Sequence, residues 1–177
     1  KKMLENEHRG EYADVMERAF YNTVLAGMQL DGKRFFYVNP LEVVPGISGK
    51  AVTHRAVLPT RPQWYACACC PPNVARMVSS FGSYAYSENE DTFFIDLYAG
   101  GTVKTEKGIT LTCETDFPHG GTAKYTIKGE AETTVAIRIP AWSEKSVLTV
   151  NGEAVDLNAA TKDGYAYITR AWKDGDT

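Results

Sequence analysis

Three of the chain's four cysteines, Cys67, Cys69 and Cys70, lie within four positions, in the sequence WYACACCPP of residues 64–72. A single cysteine is usually a small buried residue, but burial alone does not explain such clustering. Adjacent cysteines bridge only with strained geometry, which argues against a disulfide framework. Thiolates are preferred zinc ligands, and two neighbours on a tight loop can both face one ion. The cluster therefore favours a zinc site or a reactive thiol, whereas the isolated Cys113 is expected in a core.

The cluster lies directly before a predicted helix. A helix starting at about Pro72 is indicated by apolar residues at the spacing i, i+3, i+4 and i+7, namely Val74, Met77, Val78 and Phe81. The start of a helix favours an anion, so a thiol there, or beside Zn²⁺, ionises readily. Such a thiolate can be a metal ligand, a nucleophile or both in turn. The pattern is not a Cys-x-x-Cys knuckle and has no second pair, so further zinc ligands are expected outside the chain.

Two periodicities predict the elements that position this cluster. Residues 11–28 carry apolar residues at the spacing of an amphipathic helix, 35–38 form a short strand-like run, and a long loop follows to residue 63. After Tyr84 the period becomes two, which predicts strands at 93–98, 108–113, 123–127, 134–139, 146–150 and 165–169. The sequence thus predicts a helical part up to residue 83, followed by an antiparallel β-sandwich.

Composition narrows the classes of partner. The chain has 177 residues, 44% hydrophobic and 23% charged, which is enough to bury a core. A formal net charge of −3 makes nucleic acid an unexpected partner. The sequence has no apolar run near the roughly 18 residues of a membrane span. Both ends fall in mid-pattern, so we expect a fragment of a longer protein, and we expect that protein in the cytoplasm.

The cysteine motif carries a family resemblance. Residues 64–76, WYACACCPPNVAR, resemble the signature of the bacterial β-L-arabinofuranosidases, glycoside hydrolase family 127. Residues 10–25 and 32–41 resemble the same family in the same order. The resemblance implies a mixed multidomain protein in which an all-α (α/α)₆ barrel precedes β-sandwich domains. Residues 1–83 are then the C-terminal portion of the catalytic barrel, and residues 84–177 an incomplete β-sandwich.

The same resemblance implies a function and a set of site residues. It implies a retaining hydrolase that releases terminal L-arabinofuranose, or a related sugar, from plant-derived glycans. Cys69 is then the nucleophile, Cys69 and Cys70 bind Zn²⁺, and Tyr37 contacts the sugar. The family's remaining zinc ligands, a Glu and a Cys, and its acid/base Glu are expected upstream, so the chain alone is expected to be inactive.

Other residues give weaker signals. Cys67 is interpreted as a buried or supporting thiol, and Asn73 and Arg76 as residues that orient the cysteine pair. Solvated surface positions are expected for the acidic residues near the start of the chain and for one histidine: Glu5, Glu7, Glu11, Glu17 and His54. Trp64 and Tyr65 either line the sugar pocket or pack structurally.

Two other function classes remain open. The chain could be a non-catalytic zinc-binding module, or a carbohydrate-binding β-sandwich with a helical lead-in. The expected partner is a carbohydrate substrate, and a homodimer is left open.

Overall fold

The computed structural model describes residues 1–50, 56–64 and 67–177, so His54 and Tyr65 lie outside the described residues. The chain divides into two compact units. One unit consists of Lys1–Val15 together with Gly82–Thr177, and the other is Met16–Phe81.

The first helical segment changes its hydrogen-bond pattern twice. Helix α1 spans Gly10–Arg18, a π-helix spans Ala19–Val24, and a 3₁₀ turn spans Leu25–Gly27. The predicted helix over 11–28 is therefore helical almost throughout but is not one continuous α-helix. The change falls on residues of low helix propensity, and the side-chain amide of Asn22 donates to the carbonyl of Arg18 at 3.0 Å.

Two further helices lie next along the described part of the chain. Helix α2 spans Cys70–Ser79 and the short helix α3 spans Gly82–Ala85. The predicted start of α2 at Pro72 is wrong by two residues, because first-turn prolines need no intrahelical N–H bond and leave room for the helix to begin before them. The predicted strand at 35–38 is also wrong, since it contributes only an isolated bridge between Phe35 and Met28.

Within the described residues, ten strands form three sheets. Their bounds are β1 Tyr86–Glu88, β2 Thr92–Ile95, β3 Gly101–Lys104, β4 Thr110–Thr115, β5 Ala123–Lys128, β6 Ala131–Arg138, β7 Thr149–Val150, β8 Glu153–Ala154, β9 Thr161–Lys162 and β10 Tyr165–Trp172. The order is β1-β2-β6-β10-β9 in the largest sheet, β3-β4-β5 in the second and β7-β8 in the third. A short helix α4, Leu157–Ala160, is capped by the carboxylate of Asp156.

The two larger sheets share one hydrophobic core. It contains Phe93 and Ile95 from β2 and Val135 from β6, together with Leu111 from β4 and Ile127 from β5. The change to β-sheets after the helical part is confirmed, the shared core is what a sandwich requires, and the β-sandwich domain itself stays a prediction. The expectation of purely antiparallel strands is wrong, because β2 pairs with β6 in parallel. β2 and β6 can pair in parallel because the connection between them is long and contains the whole sheet β3-β4-β5.

The described part of residues 1–83 is short and helical, and the (α/α)₆ barrel stays a prediction. Across the ranges that the structure describes, no helix is both long enough and apolar enough to cross a bilayer.

Candidate functional site

The cysteine cluster is positioned by the start of helix α2. Cys69 is the N-cap residue, with φ −73° and ψ −35°, and its side chain makes no capping hydrogen bond. It is exposed, whereas Cys67 and Cys70 are half-buried. Because the sulfur of Cys69 is not used to cap the helix, it is available for chemistry at the positive end of the helix dipole.

The three sulfur atoms lie close together. The Sγ atoms of Cys67 and Cys69 are 3.2 Å apart, and those of Cys69 and Cys70 are 3.4 Å apart. With zinc–sulfur bonds of about 2.3 Å, two sulfurs of a tetrahedral site lie about 3.8 Å apart. Cys69 and Cys70 therefore fit one zinc ion after a shift of a few tenths of an ångström.

The described residues do not form a complete metal site. Within residues 1–50, 56–64 and 67–177, no group of three or more His, Cys, Asp or Glu side chains is arranged to hold a metal ion. A structural or catalytic zinc ion takes at least three protein ligands. A zinc ion on the adjacent thiols Cys69 and Cys70 would therefore need further donors, and their role as metal ligands stays a prediction.

Asn73 fixes the backbone of the nucleophile candidate. Its side-chain amide donates to the carbonyl of Cys69 at 2.7 Å, and the guanidinium of Arg76 donates to the side-chain oxygen of Asn73 at 3.1 Å. The positions i, i+4 and i+7 lie on one face of α2, which explains the contacts. This geometry supports the interpretation of both residues as orienting groups.

Tyr37 lies beside the cysteine cluster. The Sγ of Cys70 is 4.0 Å from the backbone carbonyl oxygen of Tyr37, 33 positions away in sequence. The Tyr37 side chain is 43% exposed, and that of Trp64 is 60% exposed. The structure therefore brings the backbone of Tyr37 close to Cys70, and the expected contact of Tyr37 with a sugar stays a prediction.

The other sequence-based candidates lie elsewhere. Cys113 is 4% exposed on β4, as expected for a core residue, and its burial raises the pKa of its thiol. Glu5, Glu7 and Glu11 are exposed as expected. The expectation for Glu17 is wrong, because this residue is only 7% exposed.

The β-rich unit contains a hydrogen-bonded network of polar side chains that the sequence analysis did not predict. The ring of His8 stacks on Phe94 at 3.6 Å and lies 3.1 Å from the hydroxyl of Ser87. Ser87 donates to Asp96 at 2.7 Å, and the hydroxyl of Tyr165 donates to the other carboxylate oxygen at 2.7 Å.

Burial shifts the pKa values of two groups in this network. It raises the pKa of Asp96 and lowers the pKa of His8. The Ser87 hydroxyl donates to the carboxylate rather than to the histidine, so it is not arranged as an activated nucleophile. The contacts join segments 79 positions apart, a pairing for which the sequence carries no local signal.

The fold and the site define a class of protein: a helical segment that carries two adjacent thiols, one of them exposed, joined in sequence to a set of β-sheets. Comparison with known proteins agrees with this class. Residues 1–83 match the model of the GH127 catalytic domain of β-L-arabinofuranosidases, and residues 92–177 match the model of the GH127 middle domain. The chain belongs to glycoside hydrolase family 127.

Individual relatives are similar over almost the whole chain. A non-reducing end β-L-arabinofuranosidase of Bifidobacterium longum subsp. longum is 37% identical over 174 residues, which cover 94% of this chain and 26% of that protein. The crystal structure of a GH127 β-L-arabinofuranosidase from Geobacillus stearothermophilus T6 has a TM-score of 0.89 and 46% identity, covering 98% of this chain and 28% of that one. A further GH127 β-arabinofuranosidase structure has a TM-score of 0.81 and 32% identity over 98% of this chain and 28% of its own. The chain thus spans about a quarter of the length of these relatives.

Proposed function

We propose that this chain is part of a retaining glycoside hydrolase that releases terminal L-arabinofuranose from plant-derived glycans, with Cys69 as its nucleophile. The observation that carries the proposal is the position of Cys69. Its exposed sulfur lies at the N-cap of α2, 3.4 Å from the sulfur of Cys70, in a chain that belongs to family 127.

Retention of configuration requires two displacements. In the first, the thiolate of Cys69 attacks the anomeric carbon, a carbon–sulfur bond forms and the bond to the aglycone oxygen breaks. In the second, water attacks the same carbon and the sulfur leaves as a thiolate. The proton for the aglycone comes from a general acid that we place in the protein beyond this chain.

Cys69 and Cys70 are the residues of this chain that would hold a zinc ion. When bound, zinc supplies Lewis-acid stabilisation for the negative charge on sulfur. Asn73 holds the Cys69 carbonyl and Arg76 holds Asn73, so the backbone that carries the nucleophile is fixed along α2. Tyr37 lies on the Cys70 side and is the proposed sugar contact.

The proposal is tested by trapping the sugar. The intact protein is incubated with an activated aryl L-arabinofuranoside, quenched, digested and mapped by mass spectrometry. The expected adduct is on Cys69. An adduct on Cys70 would exchange the roles of the two cysteines, and an adduct on a carboxylate would refute the thiolate mechanism.

A separate measurement tests the metal. We expect the intact protein to contain about one zinc ion per chain and this chain alone to bind zinc far more weakly, because it supplies only part of a donor set. Active protein without zinc would refute the metal assignment. A reducing cytoplasmic location is proposed because it keeps the exposed thiols free for both roles.

A further inference from the structure

Cys67 has no part in the proposed hydrolysis, yet its sulfur is as close to Cys69 as any other sulfur in the cluster. The Sγ atoms of Cys67 and Cys69 are 3.2 Å apart, slightly closer than those of Cys69 and Cys70. We propose that Cys67 and Cys69 form a site of reversible oxidation, at which peroxide converts the two thiols into a disulfide. This disulfide caps the nucleophile and is removed by thiol reductants.

The geometry favours Cys67 over Cys70 as the partner of Cys69. A disulfide needs a sulfur–sulfur distance of about 2.0 Å, so the Cys67 and Cys69 sulfurs must approach by about 1.2 Å. Cys67 lies in an irregular segment before α2, where side-chain rotation and a small backbone adjustment can supply this movement. Cys70 is already in the helical first turn of α2 and is adjacent in sequence to Cys69, so its bridge would be strained.

Exposure favours Cys69 as the thiol that reacts first. Cys69 is exposed and Cys67 is half-buried, whereas Cys113 is 4% exposed on β4. Oxidation of cysteines follows thiolate character and accessibility, and protein thiols that recover from oxidation commonly have a second cysteine at hand. The cluster meets both conditions at Cys69, and Cys113 provides an internal reference that meets neither.

The chemistry balances with peroxide as the oxidant. The Cys69 thiolate attacks one peroxide oxygen, the oxygen–oxygen bond breaks, and Cys69 becomes a sulfenic acid. The hydroxide that leaves takes up the proton that the Cys69 thiol gave up on ionising and is released as water. The Cys67 sulfur then attacks the Cys69 sulfur and expels hydroxide, which takes the Cys67 proton and leaves as water. In total, two thiols and one hydrogen peroxide give one disulfide and two waters. A dithiol reverses the change by exchange.

The inference concerns sulfur chemistry and is tested without any sugar. The intact protein is treated with hydrogen peroxide and denatured, and free thiols are blocked with a first alkylating reagent. Disulfides are then reduced and labelled with a second reagent, and the peptide that carries residues 67–70 is sequenced by mass spectrometry. We expect the second label on Cys67 and Cys69, and the first label on Cys70 and Cys113. A second label on Cys69 and Cys70, or no second label on Cys67, would overturn the proposal.

A Cys67→Ser variant tests the protective role of the second thiol. Without Cys67, oxidised Cys69 should proceed to sulfinic and sulfonic acid, which dithiothreitol does not reduce. The matched control is Cys113→Ser, which should keep the reversible disulfide. Recovery of the Cys69 thiol to the same extent in Cys67→Ser and in the wild type would refute the role of Cys67, and mapping of the wild type decides the question if a variant fails to fold. Because both readouts are masses on cysteines, a negative result here leaves the proposed hydrolysis untouched.

Discussion

Replacing Asp14 with Asn should strongly destabilise the β-rich unit. Asp14 lies on α1 and accepts a hydrogen bond from Arg138 at 2.5 Å, and the Arg138 side chain is 0% exposed while that of Asp14 is 17% exposed. The substitution removes one charged partner of the buried guanidinium, and breaking a buried pair in this way costs about 3–5 kcal/mol. The ring of Tyr98 lies 5.6 Å from the guanidinium and still stabilises it, so we expect the lower end of that range, about 3 kcal/mol.

Urea unfolding of the 177-residue chain, followed by tryptophan fluorescence, measures this loss. With a denaturant dependence of about 2 kcal/mol per molar urea, a loss of about 3 kcal/mol lowers the midpoint by about 1.5 M. The matched control is Glu11→Gln on the same helix, because Glu11 pairs with Arg9 at 3.0 Å in a largely exposed pair. A double variant, Asp14→Asn with Arg138→Met, should recover part of the stability because no buried charge is left unpaired. If Asp14→Asn unfolded at the same urea concentration as Glu11→Gln, the reasoning about the buried ion pair would be refuted.

Three further predictions concern the cysteine cluster and the network of polar side chains around His8. Cys69→Ser should abolish hydrolysis of an activated aryl arabinofuranoside by the intact protein, while the zinc content measured by mass spectrometry is partly retained. Cys70→Ser should lower zinc content, thermal stability and activity together. Equal zinc loss in both variants would contradict this division of roles. Asn73→Ala should lower kcat about 10-fold with little change in KM, because it removes the hydrogen bond to the Cys69 carbonyl. The control Ser79→Ala on the same helix should leave both constants unchanged. An effect on KM alone would argue against a role of Asn73 in positioning Cys69. Burial holds the pKa of His8 below its usual value near 6.5, so below about pH 6.5 the unfolded chain binds more protons at His8 than the folded chain, and the free energy of unfolding should fall as the pH drops. The urea midpoint of a His8→Gln variant should depend less on pH in this acidic range. An unchanged pH dependence would count against the stacked, half-buried ring.

Local pattern was a good guide where burial repeats along one segment. The strand predicted at 123–127 matches β5, Ala123–Lys128, and the strand predicted at 134–139 falls within one residue of the end of β6, Ala131–Arg138. β5 shows the pattern of a half-buried strand, whereas β6 is buried on both faces, because Val135 and Ala136 belong to different hydrophobic clusters. The two-residue strands β7 and β8 are too short for any period to appear. Of the strand predicted at 146–150, only the last two residues are in a strand, β7, and β8 was not predicted.

The sequence by itself determined the thiol cluster. Cys67, Cys69 and Cys70 lie within four positions, so the spacing alone predicted that their sulfurs are close, and the structure places neighbouring Sγ atoms 3.2 and 3.4 Å apart. Their joint binding of a metal stays a prediction. The helix start was placed two residues late because the apolar period begins only at Val74, whereas the preceding prolines are compatible with a helix that starts before them.

Only the tertiary structure decided which distant residues meet. The parallel pairing of β2 with β6 cannot be read from alternation, because a strand's period specifies its faces and not its neighbour. Asp14 and Arg138 are 124 positions apart, and Tyr165 and Asp96 are 69 positions apart. These polar groups become partners because folding removes them from water together, and a buried donor or acceptor without a partner would cost more than the ordering of the segments that supply one.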